Sequence, residues 1–125
     1  AAGPAVELFA ASSAPWNNHD DPDGTHVADG PFLYRTSGGK LLMLWSTFSK
    51  HGYAIGYSVS QSGGIEGPWV PAEQPLFDRD GGHGMLFTDK SGQLMLTIHS
   101  PNDTPNERAV FLPVIDTGDG LTPRA

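Results

Sequence analysis

Several features are scarce in this 125-residue sequence, and each scarcity narrows what the molecule can be. There is no cysteine, so disulfide bonds and thiolate metal ligands are excluded. Only 7 lysines and arginines stand against 14 aspartates and glutamates, and the net charge of −7 argues against a surface that binds nucleic-acid phosphates or an anionic membrane. No uninterrupted apolar run approaches the roughly 18 residues of a membrane span. We therefore expect a globular domain that suits a neutral or cationic partner.

Helix signals and targeting signals are also weak. No segment keeps an i, i+3, i+4, i+7 apolar stripe for more than two turns before a glycine or proline interrupts it. The opening sequence AAGPAVELFAASSAPW has neither a basic region nor a sustained apolar segment, so no signal peptide is predicted. The compartment in which the protein acts is left open.

Short apolar and aromatic runs, by contrast, recur along the whole chain. They are PFLYRT, KLLMLWSTF, GYAIGYSVS, GPWVPA, HGMLFTD, QLMLTIHS and RAVFLPVID, and most are separated by turns that contain glycine. Strands at this spacing indicate an all-β meander.

An internal repeat narrows the expected architecture. Laying Gly39 on Gly92 gives a constant offset of 53 residues, which carries DGPFLYRTSGGKLLMLWST onto GHGMLFTDKSGQLMLTIHS. A strand, a tight turn and a second strand are therefore used twice, at a period near the ~40–50 residues typical of propeller blades. The unit that begins at Asp29 adds the strand GYAIGYSVS and the edge segment GPWVPA, which makes a four-stranded antiparallel blade.

The chain is too short to close a ring of such blades. Residues 29–81 make one blade, residues 82–125 make a second blade and a C-terminal tail, and residues 1–28 supply the outer edge of a preceding blade and a rim loop. This amounts to about two to two and a half blades, whereas a propeller has four to eight. We expect the missing blades to come from another segment or from self-association. A single β-sandwich of about seven strands is the alternative.

Six sequence blocks carry a family resemblance. In order and spacing, DGPFLYR, GKLLMLWS, GYAIGYSVS, GPW, DGGHGMLF and GQLMLTIHSPN resemble the C-terminal blades of glycoside hydrolase family 43, from about residue 6 to about residue 117. These five-bladed β-propellers include α-L-arabinofuranosidases, endo-arabinanases and β-xylosidases. The resemblance implies inverting hydrolysis, in which one carboxylate activates water and another protonates the leaving oxygen. It places the general base and a third, modulating acid on blades that precede these residues.

Asp29 is the catalytic candidate that the resemblance identifies. It stands in DGP, where the family has a Glu-Gly-Pro or Glu-Ala-Pro type motif, and there it would be the general acid. Such an acid needs a partly dry cavity, and the rigid Gly30-Pro31 pair would fix the backbone that aims it. Aspartate is one methylene shorter than glutamate, which shortens its reach to the departing oxygen. The alternative is a turn aspartate that caps the strand entry.

His83 is the candidate for both substrate and metal binding. The repeat lays Gly82-His83-Gly84 on Asp29-Gly30-Pro31, so His83 also enters an innermost strand. The resemblance implies that this histidine lies on the propeller axis under the sugar and contacts a structural calcium ion directly or through water. Imidazole is a poor primary ligand for calcium, which favours the water-mediated contact. A core histidine bonded to the backbone is the alternative.

Two more residues are candidates for substrate binding. Arg108 opens the last predicted strand, where the resemblance implies an arginine that reaches toward the bound sugar; an ion pair with Glu107 or another rim acid is the alternative. Trp16 could stack on a sugar ring, although its position favours packing between blades.

The predicted function follows from these candidates. The chain is expected to be the C-terminal part of a glycoside hydrolase that acts on arabinose- or xylose-containing plant polysaccharide, and to be inactive alone because it lacks the general base. Neither a nucleic acid nor a membrane is an expected partner. The alternative is a non-catalytic carbohydrate-binding propeller, or a structural half-propeller that assembles from copies.

Overall fold

The computed structural model describes residues 2–22 and 26–125, which form two four-stranded antiparallel sheets. The predicted all-β, blade-like architecture is confirmed. Residues 1 and 23–25 lie outside the described residues, and the latter fall in the predicted rim loop. A search of the described part of the chain for helices long and apolar enough to cross a membrane finds none.

The first sheet has its strands in chain order. They are β1 (Asp29–Arg35), β2 (Leu41–Ser49), β3 (Gly52–Ser60) and β4 (Trp69–Pro71). Each strand falls in one of the apolar runs predicted from the sequence. Gly39 lies in the tight turn between β1 and β2 and Gly52 is the first residue of β3; their φ values of +87° and +110° favour glycine.

The second sheet repeats this order. Its strands are β5 (Gly82–Thr88), β6 (Leu94–Ser100), β7 (Arg108–Asp116) and β8 (Leu121–Pro123). The sequence predicts only a C-terminal tail at residues 121–123, but in the structure these residues form the strand β8. Three residues that end in proline carry too little pattern to be predicted as a strand.

The strand register reproduces the 53-residue repeat. Asp29 pairs with Ser46 in the first sheet, and Gly82 pairs with His99 in the second, each 53 positions later. An irregularity in the ladder follows each of these pairs directly, at the same place in both first strands. We call the edge at which β1, β3, β5 and β7 begin the entry edge of the two sheets.

The main core lies between the two sheets. Alternate residues of β2 and of β6, Leu42 and Leu44 in the first sheet and Leu96 and Ile98 in the second, belong to this one core. The buried residues of this core are Leu42, Leu44, Ile55, Leu76, Leu86, Leu96, Ile98, Val114 and Leu121. Since both sheets contribute, the two blades are held face to face by apolar contact.

A second, smaller core covers the other face of the first sheet. Residues 9–16 cross this face, and the rings of Phe9 and Trp16 lie 5.1 and 5.2 Å from that of Trp45. Trp16 lies directly over Gly56, where an ideal Cβ would be 2.5 Å from the indole Cζ2. This segment contains a 3-10 turn, Ala11–Ser13. Its assignment to the edge of a preceding blade stays a prediction.

A polar clamp joins the two blades at the edge opposite the entry edge. The carboxylate of Asp116, at the end of β7, accepts hydrogen bonds from Tyr34 Oη at 2.9 Å, from Ser37 N at 2.7 Å and from Gly118 N at 2.7 Å. Burial pushes the pKa of Asp116 upward, but these hydrogen bonds outweigh burial and hold its pKa below the usual value. The clamp therefore ties the β1–β2 turn to the β7–β8 turn through a charged group.

The outward face of the second sheet is bare and apolar. Met85 and Phe111 are 50% and 57% exposed, and the rings of Phe87 and Phe111 meet edge to face at 6.0 Å. Ile115 extends this surface, which we call the bare face (Met85, Phe87, Phe111, Ile115). Apolar side chains grouped on one sheet face are typical of a surface that packs on another layer.

Candidate active site

Asp29 lies at the entry edge, as the first residue of β1, and its side chain is exposed. The phenol of Tyr53, at the start of β3, donates a hydrogen bond of 3.1 Å to Oδ2 of Asp29. Within the described residues, Oδ1 makes no hydrogen bond. The protein therefore gives Oδ2 of Asp29 a fixed donor, whereas Oδ1 of this exposed residue has none among the described residues.

The ring of Tyr53 is held on several sides. It stacks on His99 of the second blade, with 5.5 Å between ring centroids and 19° between planes, and it packs against Phe48 at 5.1 Å. Gly82 lies against it so closely that an ideal Cβ there would be 2.9 Å from the Tyr53 ring. The backbone amide of Tyr53 donates to Oδ1 of Asp80 at 3.3 Å. Tyr53 thus has little freedom to move its hydroxyl.

The protonation of Tyr53 is well defined. Burial raises the pKa of its phenol, and the charge of Asp29 and the hydrogen bond to it raise that pKa further. The phenol therefore stays protonated throughout the neutral range. Its hydroxyl is the donor in the contact with Asp29.

His83 lies beside this group, at the ladder irregularity of β5. It has a φ of +53°, and the equivalent residue of the first blade, Gly30, has a φ of +55°. The two positions face each other, because an ideal Cβ on Gly30 would be 2.9 Å from Cδ2 of His83. The amide of His83 donates to Oγ of Ser46 at 2.9 Å. Left-handed backbone is uncommon for histidine, and such strain clusters at functional sites.

The second blade adds further polar groups to the entry edge. His99 lies 6.5 Å from His83 between ring centroids, and its Nε2 is 2.8 Å from Oδ1 of Asn102. Asp80 accepts a hydrogen bond of 3.1 Å from the amide of Asn102 and, like His83, has a positive φ, of 59°. These contacts fix the ring of His99 beneath Tyr53 and connect the loop after β6 to the site.

Arg108 begins β7 at the same edge and is exposed. Its Nη1 donates to the carbonyl oxygens of Glu107 at 2.8 Å and Pro105 at 3.2 Å. In the described part of the chain the guanidinium makes no ion pair with the Glu107 carboxylate, which was the alternative weighed from the sequence. The structure brings Arg108 to the entry edge but shows no contact with Asp29, so its role in substrate binding stays a prediction.

Trp16 is located apart from the group around Asp29. Its indole is 9% exposed and lies in the smaller core against Trp45 and Gly56. It also lines a shallow cavity of about 190 Å³ that His51 and Pro75 share. Most of the ring is occupied by packing, and its predicted contact with a sugar remains a prediction.

The region around His83 is the predicted metal site. Within residues 2–22 and 26–125 no group of three or more His, Asp or Glu side chains converges in a way that could hold a metal ion. The described residues around His83 therefore do not supply a calcium site by themselves.

The sequence singles out Asp29 and His83 but not Tyr53 and His99, which lie against them. In GYAIGYSVS, Tyr53 resembles any aromatic residue of a buried strand, and only its place at the entry edge marks it. Chemically, a carboxyl group with one fixed oxygen can deliver a proton from the other. Inverting hydrolysis also needs a second carboxylate across the sugar.

Comparison with known proteins gives matches among solved structures. No family model and no curated protein matches the sequence. The chain is similar to an endo-arabinase from Bacteroides thetaiotaomicron, with 46% identity and a TM-score of 0.76, over 90% of this chain and 41% of the enzyme.

Two more distant structures share the fold. An endo-1,4-β-xylanase from the same organism has a TM-score of 0.67 and 24% identity, over 80% of this chain and 38% of that protein. A thermostable family-43 glycoside hydrolase has a TM-score of 0.63 and 21% identity, over 78% and 35% respectively. The chain thus spans less than half the length of each of these three structures.

Proposed function

The chain belongs to glycoside hydrolase family 43, and on that premise we propose that it is the acid-bearing part of an inverting hydrolase that cleaves arabinose- or xylose-containing polysaccharide. Asp29 is the general acid in this proposal. The observation that carries it is the geometry at the entry edge, where the side chain of Asp29 is exposed and Tyr53 donates to its Oδ2. The similarity to an endo-arabinase favours arabinan among the pentose polymers.

The proposed chemistry assigns a defined step to this chain. Asp29 transfers the proton of its carboxyl group to the glycosidic oxygen while the bond from the anomeric carbon to that oxygen breaks, so the departing sugar leaves as an alcohol. A general base on a blade outside these residues takes a proton from the attacking water. His83 and Arg108, at the same edge, are proposed to contact the sugar.

The bare face supports the proposal that further blades complete the enzyme. Its four apolar side chains lie on the sheet face that a neighbouring blade covers in a propeller. The matched endo-arabinase is more than twice as long as the aligned part of this chain, which leaves room for those blades. We take the occupant of the bare face to be another blade of the same propeller.

Calcium on the propeller axis is part of the proposal only as an ion held mainly by other segments. His83 would contact it through water, because the described residues offer no ligand set of their own. In the intact enzyme, we expect calcium to raise the melting temperature, and His83→Ala to reduce that increase. An increase that is identical in both proteins would exclude His83 from the calcium site.

The general-acid assignment is tested with Asp29→Asn in the intact enzyme. Asparagine keeps the shape but cannot deliver the proton, so turnover of arabinan should fall by about 10²–10⁴-fold. An aryl arabinoside that releases p-nitrophenolate needs no protonation of its leaving group, and its turnover should fall far less. Asp119→Asn, at the opposite edge, is the matched control. Equal losses on both substrates would rule out proton donation by Asp29.

A further inference from the structure

We propose that Tyr53 is a positioning residue for this reaction, which holds Oδ2 of Asp29 so that the transferable proton resides on Oδ1. The inference rests on the proposed role of Asp29 as the general acid. It concerns a residue 24 positions beyond the DGP motif, on a strand that the sequence predicts as ordinary blade structure.

The hydrogen bond between Tyr53 and Asp29 has a defined direction. Tyr53 is a protonated phenol and lies 3.1 Å from Oδ2 of Asp29, so it donates to that oxygen. A protonated carboxyl group has one hydroxyl oxygen and one carbonyl oxygen, and the carbonyl oxygen is the better acceptor. The contact therefore favours the form in which Oδ1, rather than Oδ2, bears the proton.

The donor of this hydrogen bond is rigidly held. The ring of Tyr53 lies between Phe48 and the stacked ring of His99, and Gly82 closes a further side. The hydroxyl can therefore restrain the rotation of the Asp29 carboxyl plane. Since His99 and Gly82 belong to the second blade, the seam between the two blades sets the orientation of the acid.

The charge on the carboxyl group of Asp29 changes during proton transfer. When the proton moves from Oδ1 to the glycosidic oxygen, the electron pair of the O–H bond stays on the carboxylate and is shared by both oxygens. A hydrogen bond to a charged acceptor is stronger than one to a neutral acceptor. The bond from Tyr53 thus strengthens as Asp29 becomes negative, and it stabilises the transition state more than the bound substrate.

The test is Tyr53→Phe in the intact enzyme with arabinan as substrate. We expect kcat to fall about tenfold with KM within about twofold, because the lost interaction is made mainly in the transition state. On the aryl arabinoside, whose leaving group needs no protonation, kcat should change far less.

Tyr57→Phe is the matched control. Tyr57 lies on the same strand and donates to the carbonyl oxygen of Leu121 at 3.2 Å, away from the entry edge. This variant should lose a comparable hydrogen bond and a similar amount of thermal stability, with kcat and KM unchanged.

The outcomes separate this inference from its premise. If Asp29→Asn is inactive on arabinan while Tyr53→Phe keeps the parental kcat on arabinan, the role of Tyr53 is refuted and the general acid stands. If Tyr53→Phe changes only the melting temperature, the residue is structural. If Asp29→Asn keeps full activity, the proposed function fails and the role of Tyr53 fails with it.

Discussion

At the scale of single residues, three glycines decide which side chains can meet in this molecule. Gly82 gives room to Tyr53, Gly30 to the ring of His83, and Gly56 to the indole of Trp16. In each case an ideal Cβ would lie within 2.9 Å of an atom of the ring. The site and the smaller core therefore both depend on positions where glycine leaves room for a neighbouring ring.

The contact at Gly56 yields a prediction about stability. In Gly56→Ala the new methyl group would meet Cζ2 of Trp16 at 2.5 Å, and Trp16 cannot retreat because it packs on Trp45. Such overpacking should lower the free energy of unfolding by about 1–3 kcal/mol, measured by urea denaturation. Gly3→Ala, where an added Cβ meets nothing within 4 Å, should have no such effect. Equal stability of the two variants would contradict the packing of Trp16 described above.

The sequence could indicate these glycines but not their partners. A glycine inside a strand signals close approach of another group, and GYAIGYSVS contains such a glycine. Nothing in the pattern says that the approaching group is Trp16, 40 positions earlier. Tyr53 was missed for the same reason, because its contacts with Asp29 and His99 depend on how the two blades are joined.

At the scale of elements, the two sheets are joined by one apolar core and one polar clamp. Apolar contacts in the core do not by themselves set one orientation of the two sheets. The clamp at Asp116, in contrast, connects two particular turns. Its hydrogen bonds come from Tyr34 and Ser37 on one blade and from Gly118 on the other. The clamp therefore fixes the angle and offset of the blades, which in turn bring Tyr53 of one blade against His99 of the other.

Removing the charge of the clamp should cost stability in a pH-dependent way. Asp116→Asn should lower the free energy of unfolding by about 1–3 kcal/mol at pH 7, since charge-assisted hydrogen bonds are lost. The pKa of Asp116 is depressed in the folded protein, so its contribution is fully present above the unfolded pKa of about 3.9. It is lost as the pH falls through the lower folded value.

Urea midpoints of the parent and Asp116→Asn between pH 7 and pH 2 measure this difference. The gap between the two proteins should narrow below about pH 4. Asp119→Asn, in the same turn but making none of these hydrogen bonds, should follow the parent. A gap that stays constant down to pH 2 would show that the charge of Asp116 does not stabilise the fold.

Most elements were predictable because their signals are local. Apolar runs and glycine turns located seven of the eight strands, and the 53-residue repeat anticipated the shared register of the two sheets. The short strand β8 was not predictable, because its pairing with β7 comes from tertiary structure. The clamp at Asp116 likewise joins residues about 80 positions apart, and no local pattern reports such a contact.

At the scale of the whole molecule, the bare face and the proposed location of the base on other blades lead to two expectations for the isolated chain. The purified 125-residue chain should release no product from arabinan or an aryl arabinoside, because the proposed base lies on other blades. It should also associate in solution through the bare face, with a mass above that of one chain. Phe111→Lys, which places a charge at the centre of that face, should shift the mass toward the monomer.

Two measurements decide these expectations. Light scattering gives the mass, and a sensitive reducing-sugar assay gives the activity of the same sample. A strictly monomeric chain would count against an incomplete propeller, and turnover by the isolated chain would show that the base lies within these residues. The same substitution at exposed Ser62, away from the bare face, controls for the added charge.

The close packing at Gly82 also limits how many acidic side chains the entry edge can carry. By the repeat, Gly82 stands where the first blade has Asp29, yet a side chain there would collide with the ring of Tyr53 and with Oγ of Ser46. A carboxylate at this station would displace the phenol that donates to Asp29. With Tyr53 in its observed place, this pair of blades therefore has room for an acid at position 29 but not at position 82.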